Sequence, residues 1–128
     1  MAKRDTRSAL AKAVGLGSSR YGIEHWWAER ISAVALVPLT IWLMACLIAR
    51  TGSNYAGLVQ WLRMPSTTIV MILLLIALFY HTALGLQVII EDYVHSGLKF
   101  AAIAIMRLTC VGLAVAGIVA ILLVAFGK

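Results

Sequence analysis

His81 is the only ionisable group deep within an apolar run of this sequence, and an imidazole can bind a metal or carry a proton. It lies ten residues before Glu91, about 15 Å along a helix axis. Either imidazole nitrogen can ligate a metal while the other hydrogen-bonds. An ionisable group in hydrocarbon is costly and needs a partner. The residue therefore reads either as a neutral imidazole bonded to a neighbouring helix or as an axial ligand of haem iron. Positions 77, 81, 85, 88 and 92 share one helical face and read Ala77, His81, Gly85, Val88 and Asp92. Ala77 and Gly85, one turn on either side, leave room for a flat macrocycle or for a closely packed helix. The spacing leaves both open.

A second group follows at the end of the same run, where Glu91, Asp92 and Tyr93 are adjacent, and Arg30 precedes another apolar run. Together they place an acid, a phenol and a guanidinium at one membrane surface. A quinone headgroup requires hydrogen-bond donors to its carbonyl oxygens and a route for protons from water, which Tyr93, Arg30 and Asp92 can supply. The plainer alternative is an ordinary helix end with an interfacial tyrosine.

The elements that must position these residues follow from composition. The chain has 128 residues, of which 62% are apolar and 12% charged, and its mean hydropathy is +0.96. Sixteen charged side chains cannot cover a water-soluble domain of this size, so lipid is the solvent. Charge-free stretches cover 31–49, 64–90 and 108–127. Each meets the ~20 residues that a helix needs to cross ~30 Å of hydrocarbon. Barrel strands would be half as long and would alternate polar with apolar residues. The expected fold is all-α, with an N-terminal arm over 1–30 and transmembrane helices over 31–49, 64–90 and about 104–127, forming one membrane domain. The net charge of +6 is explained by membrane orientation without invoking nucleic acid. Cys46 and Cys110 lack CxxC spacing and read as packing residues, which excludes a cluster or a covalent c-type haem held by this chain.

Six basic residues precede residue 31, and Lys99 and Arg107 join them on the same side, against Arg50, Arg63 and Lys128 on the other. Eight against three places the N-terminus, Asp92 and Tyr93 in the cytoplasm. No apolar h-region appears in residues 1–20, so the basic arm is expected to be retained. Trp26, Trp27 and Trp61 are expected at headgroup depth. Pro65 is expected to open a helix and Pro38 to bend one. Residues 98–106 either lie along the interface or extend the third span inward. In the second case Arg107 must snorkel or pair with a partner's acid.

The strings HWWAERISAVALVPL at 25–39 and FYHTALGLQVIIEDYVH at 79–95 resemble the hydrophobic membrane anchor subunits of succinate dehydrogenase. The resemblance covers nearly the whole chain, and the His followed eleven residues later by Asp-Tyr is its specific signal. It implies half of a heterodimeric anchor bundle, paired with a cytochrome b556 subunit and carrying an iron–sulfur and a flavoprotein subunit. It further implies that His81 ligates a b-type haem shared between the two anchors and that Arg30 lies near the haem propionates or the quinone. Tyr93 would hydrogen-bond ubiquinone with Asp92 beside it. The transfer reaches less directly to Ser32, Trp26 and His25, and it gives His95 no role.

On this reading the chain sits in the inner membrane of a bacterium, or of a mitochondrion, and helps to deliver electrons from succinate to ubiquinone. The flavin and dicarboxylate sites belong to other subunits. A fumarate reductase anchor is the nearest alternative, and a three-span pore or transporter is the alternative from another class. A pore has no use for His81 and Asp-Tyr at this spacing.

Overall fold

Internal hydrogen bonding is the only way for a backbone to cross lipid, and the apolar runs accordingly form helices. A computed structural model describes residues 18–95 and 97–127. Helix α1 spans Ser18–Ala49, α2 Tyr55–Leu62, α3 Pro65–Tyr93 and α4 Leu98–Phe126, and no strand occurs among the described residues. Three of these helices, over Gly22–Ala49, Pro65–Tyr93 and Leu98–Phe126, are long and apolar enough to cross a membrane. At 29 residues, α3 and α4 each reach about 43 Å, more than the ~30 Å hydrocarbon layer. Their ends therefore stand at headgroup depth. The basic residues at 3, 4, 7 and 12, and the expectation of a retained arm, lie outside the described residues.

Helix boundaries differ from the sequence expectation in three places. Helix α1 begins at Ser18, well before the charge-free run, because a helix need not be apolar once it leaves the hydrocarbon. Helix α4 begins at Leu98 and not near 104, so residues 98–106 extend the span and Arg107 lies inside it. The third difference is α2, a short helix in the connection between the first two spans. Asn54 caps it, its side chain accepting from the Gly57 amide at 2.9 Å. Pro65 does open α3, where its missing N–H costs no hydrogen bond, and α1 remains helical through Pro38.

Helix α3 is the centre of the arrangement, packing against α1 on one side and α4 on the other, while α1 and α4 make no close backbone contact with each other. Only Ser32, Trp61, Thr67, Thr68, Leu74 and Cys110 are buried among the described residues. Half of these are hydroxyl-bearing, as expected where helices meet in lipid without a hydrophobic drive between them. Helix α4 packs tightly on α3 at Gly117, where an added Cβ would stand 2.8 Å from Leu75 Cδ1. At the end where α2 lies, Trp61 is buried against Trp42, with ring centroids 6.1 Å apart, and the Arg50 guanidinium covers it at 4.4 Å. Trp61 thus faces the bundle and not the lipid, unlike the exposed Trp26 and Trp27.

Candidate functional site

His81 lies two residues from the midpoint of α3. Its Nδ1 is 3.0 Å from Ser32 Oγ on α1, across the interface of the two helices. Ser32 is 6% exposed, and its hydroxyl also lies 2.8 Å from the Glu29 carbonyl one turn earlier. A hydroxyl has one proton, and a carbonyl can only accept. The Ser32 proton therefore goes to Glu29, and Ser32 Oγ accepts from His81 Nδ1–H. That tautomer leaves the lone pair on Nε2, the nitrogen open to a metal or a proton. The described residues contain no group of three His, Cys, Asp or Glu side chains able to hold a metal ion by themselves. A metal at His81 must therefore bring other ligands with it or take them from another chain.

The stripe around His81 is the side of α3 that α1 follows. Ala77 borders a cleft with Ser32 and Ala35, and Val88 borders another with His25 and Glu29. Between them a Cβ at Gly85 would meet nothing within 4 Å. No helix of this chain explains the absence of a side chain there.

Asp92 and Tyr93 form the last turn of α3, Tyr93 being 81% exposed, and neither side chain hydrogen-bonds within the described residues. Arg30 is not brought to them. It lies two residues from Ser32 and hence near the depth of His81, on a face of α1 about 160° from Ser32, with its guanidinium 4.3 Å from the centre of the Trp26 ring. Two levels replace the single cluster expected from sequence: Arg30 with His81 deeper in the bundle, and Asp92 with Tyr93 at its end.

A further polar group emerges at the Tyr93 end. Arg107 Nη2 donates to Gln87 Oε1 at 2.6 Å, and Gln87 Nε2 donates to Glu91 Oε1 at 2.7 Å. Lys99 Nζ reaches the Glu91 carbonyl at 3.0 Å, where a cation favours the C-terminal end of a helix. Arg107, expected to snorkel or to pair with a partner's acid, is instead joined through an amide to Glu91 of its own chain. A cleft of about 680 Å³ beside these residues is bordered by Glu29 and His25, whose Nε2 is buried with no hydrogen-bond partner among the described residues. Gln87 escapes a sequence scan for charge because a neutral amide interrupts no charge-free run. His95 is exposed in the turn after α3.

Comparison with known proteins shows the family of the chain. The model of the succinate dehydrogenase/fumarate reductase transmembrane subunit family matches residues 4–121. The succinate dehydrogenase hydrophobic membrane anchor subunit of Rickettsia bellii is 36% identical over 90 residues, covering 70% of this chain and 72% of that protein. The subunit of the same name from Paracoccus denitrificans is 34% identical over 91 residues, covering 71% and 70%. That of Rickettsia conorii is 28% identical over 119 residues, covering 91% and 94%. No solved structure matches significantly. A match across nearly the whole chain, with three helices long enough to span a bilayer, means that the chain belongs to the succinate dehydrogenase/fumarate reductase transmembrane subunit family.

Proposed function

We propose that this chain is the small hydrophobic anchor of a succinate:quinone oxidoreductase, a multi-pass protein of the bacterial inner membrane that forms half of a heterodimeric bundle with a cytochrome b556-type subunit. The Tyr93 end faces the cytoplasm, following the eight-to-three bias in basic residues. Iron–sulfur and flavoprotein subunits dock there. The observation that carries the reading is His81 at mid-depth, with Nδ1 engaged by Ser32 and Nε2 free.

A b-type haem suits these residues. The tautomer presents a ligating nitrogen, and the space at Gly85 one turn away is left open by the rest of the chain. His81 would hold the iron, and Arg30, an exposed cation at similar depth, would meet the propionate carboxylates. A second protein ligand would come from the partner anchor, since His25 and His95 lie towards the Tyr93 end. Bound there, the haem supplies a one-electron store inside the membrane.

Tyr93 and Asp92 serve the quinone. The Tyr93 hydroxyl, at the end of α3 and open to its surroundings, donates a hydrogen bond to a quinone carbonyl and holds the headgroup at the surface. Reduction of a quinone to a quinol takes up two electrons and two protons. The electrons come from succinate oxidised in other subunits, and Asp92 keeps a proton-exchanging group in contact with water beside the carbonyl.

Haem stoichiometry tests the proposal. The chain expressed alone should bind little or no haem, and its complex with the cytochrome b556-type subunit should bind one per heterodimer. A colourless heterodimer, or one haem on the isolated chain, would contradict it.

A further inference from the structure

We infer that Ser32 is a positioning residue for the His81 ligand. Through a hydrogen-bond chain from His81 Nδ1 by way of Ser32 Oγ to the Glu29 carbonyl, it fixes the ring and strengthens Nε2 as a donor to iron. The inference rests on the proposed haem at His81 and adds a residue to it.

Ser32 is one of three buried hydroxyl residues, and the other described pattern is different: Thr68 gives its hydroxyl to the Leu62 and Met64 carbonyls, tying α2 to α3. Only Ser32 sets its oxygen against a ring nitrogen on another helix, at 3.0 Å. A serine that merely bonds back to its own helix could face lipid, as Thr40 does with the Leu36 carbonyl. Ser32 is instead held where two helices meet. A hydroxyl that donates to a carbonyl is polarised and becomes a better acceptor, so the 2.8 Å bond to Glu29 strengthens the one to Nδ1–H.

The consequences for an axial imidazole follow from elementary coordination chemistry. Pulling on Nδ1–H raises electron density at Nε2, which favours ferric over ferrous iron and lowers the reduction potential. It also removes the ring's freedom to rotate or to change tautomer. Loss of such an outer partner usually costs about 10–100-fold in metal affinity. Neither effect is expected from a residue that only fills space, because the serine side chain is barely larger than alanine.

The test uses the assembled, haem-loaded complex carrying Ser32→Ala or Ser32→Thr. For Ser32→Ala we expect a raised haem midpoint potential, altered low-spin g values, and about 10–100-fold greater haem loss to excess apomyoglobin. Ser32→Thr keeps the hydroxyl, and its γ-oxygen can still reach the carbonyl one turn back, so it should restore all three readouts towards wild type. Ser32→Ala with wild-type potential, g values and haem retention would overturn the inference while leaving haem at His81 intact. Equal perturbation by alanine and threonine would also overturn it, since packing and not the hydroxyl would then be responsible. A wild-type complex without b haem, or one whose spectrum survives His81→Leu, would instead fail the reading on which the inference rests.

Discussion

At the Trp61 end of the molecule Arg50 donates to the Cys46 carbonyl at 3.1 Å and lies over Trp61, and Arg63 donates to the carbonyls of Val124 and Gly127 at the end of α4. At the Tyr93 end Asp92 and Tyr93 make no side-chain hydrogen bond within the described residues, and His25 Nε2 is buried without a hydrogen-bond partner among them, while Arg30, deeper in the bundle, lies against the Trp26 ring. Both ends carry arginine and aromatic side chains. The difference is in who satisfies them: one end is completed by the chain's own carbonyls and rings, whereas at the other the last turn of α3 presents Asp92 and Tyr93 outward beside the internal Arg107–Gln87–Glu91 chain. A helix end whose cations cap carbonyls is stabilised as it stands. A turn that exposes an acid beside a phenol is suited to a ligand or a neighbouring subunit.

The contrast can be broken most forcefully at Trp61. Truncation of a buried tryptophan typically costs about 3–5 kcal/mol, and here it also removes the surface on which Arg50 rests. Trp61→Ala should markedly lower the thermal unfolding midpoint of the purified complex in detergent. The quinone kinetics of the complex that remains folded should stay at wild-type level. Preserved thermal stability would show that the Trp61 end is not what holds α2 and the helix ends together.

A smaller effect sharpens the comparison from the other side. Tyr93→Phe deletes one hydroxyl from a residue that is 81% exposed, so the thermal midpoint should not move. Loss of a hydrogen bond to a ligand costs about 0.5–1.5 kcal/mol, which corresponds to a roughly 2- to 13-fold fall in quinone reduction. Succinate oxidation with an artificial acceptor that draws electrons upstream of the membrane should be unaffected. Parallel loss of both activities would point to failed assembly, and unchanged quinone kinetics would remove Tyr93 from the site.

Much of this division is legible in the sequence, and what is hidden has a physical reason. Three spans and the depth of His81 follow from counting residues between charges, because hydrocarbon thickness fixes helix length. The partner of His81 does not follow from counting. Ser32 is found only when the register of α1 against α3 is known, and nothing local to span 1 sets that register. Residues 98–106 have the same apolar composition whether they lie flat or continue α4, and the Arg107–Gln87 bond resolves the matter through a contact 20 residues apart in sequence. Helix α2 carried a readable signal in Asn54, a capping residue three positions before Gly57. Sequence groups Arg30 with Asp92 and Tyr93 because it identifies the side of the membrane and not the depth within it. Pairing Ser32 with His81 moves Arg30 about 15 Å from the level of Tyr93.

The central claim is that His81 offers Nε2 to a haem that this chain shares with another. Its most direct test is His81→Leu in the co-expressed heterodimer, followed by optical and electron paramagnetic resonance spectra of the purified, assembled complex. Leucine preserves apolar volume in α3 but has no lone pair, so the low-spin b-type spectrum should be lost or converted to another coordination state while the subunits still co-purify. An unchanged haem spectrum would make His81 a structural hydrogen-bonding residue of the α1–α3 interface and would contradict the account.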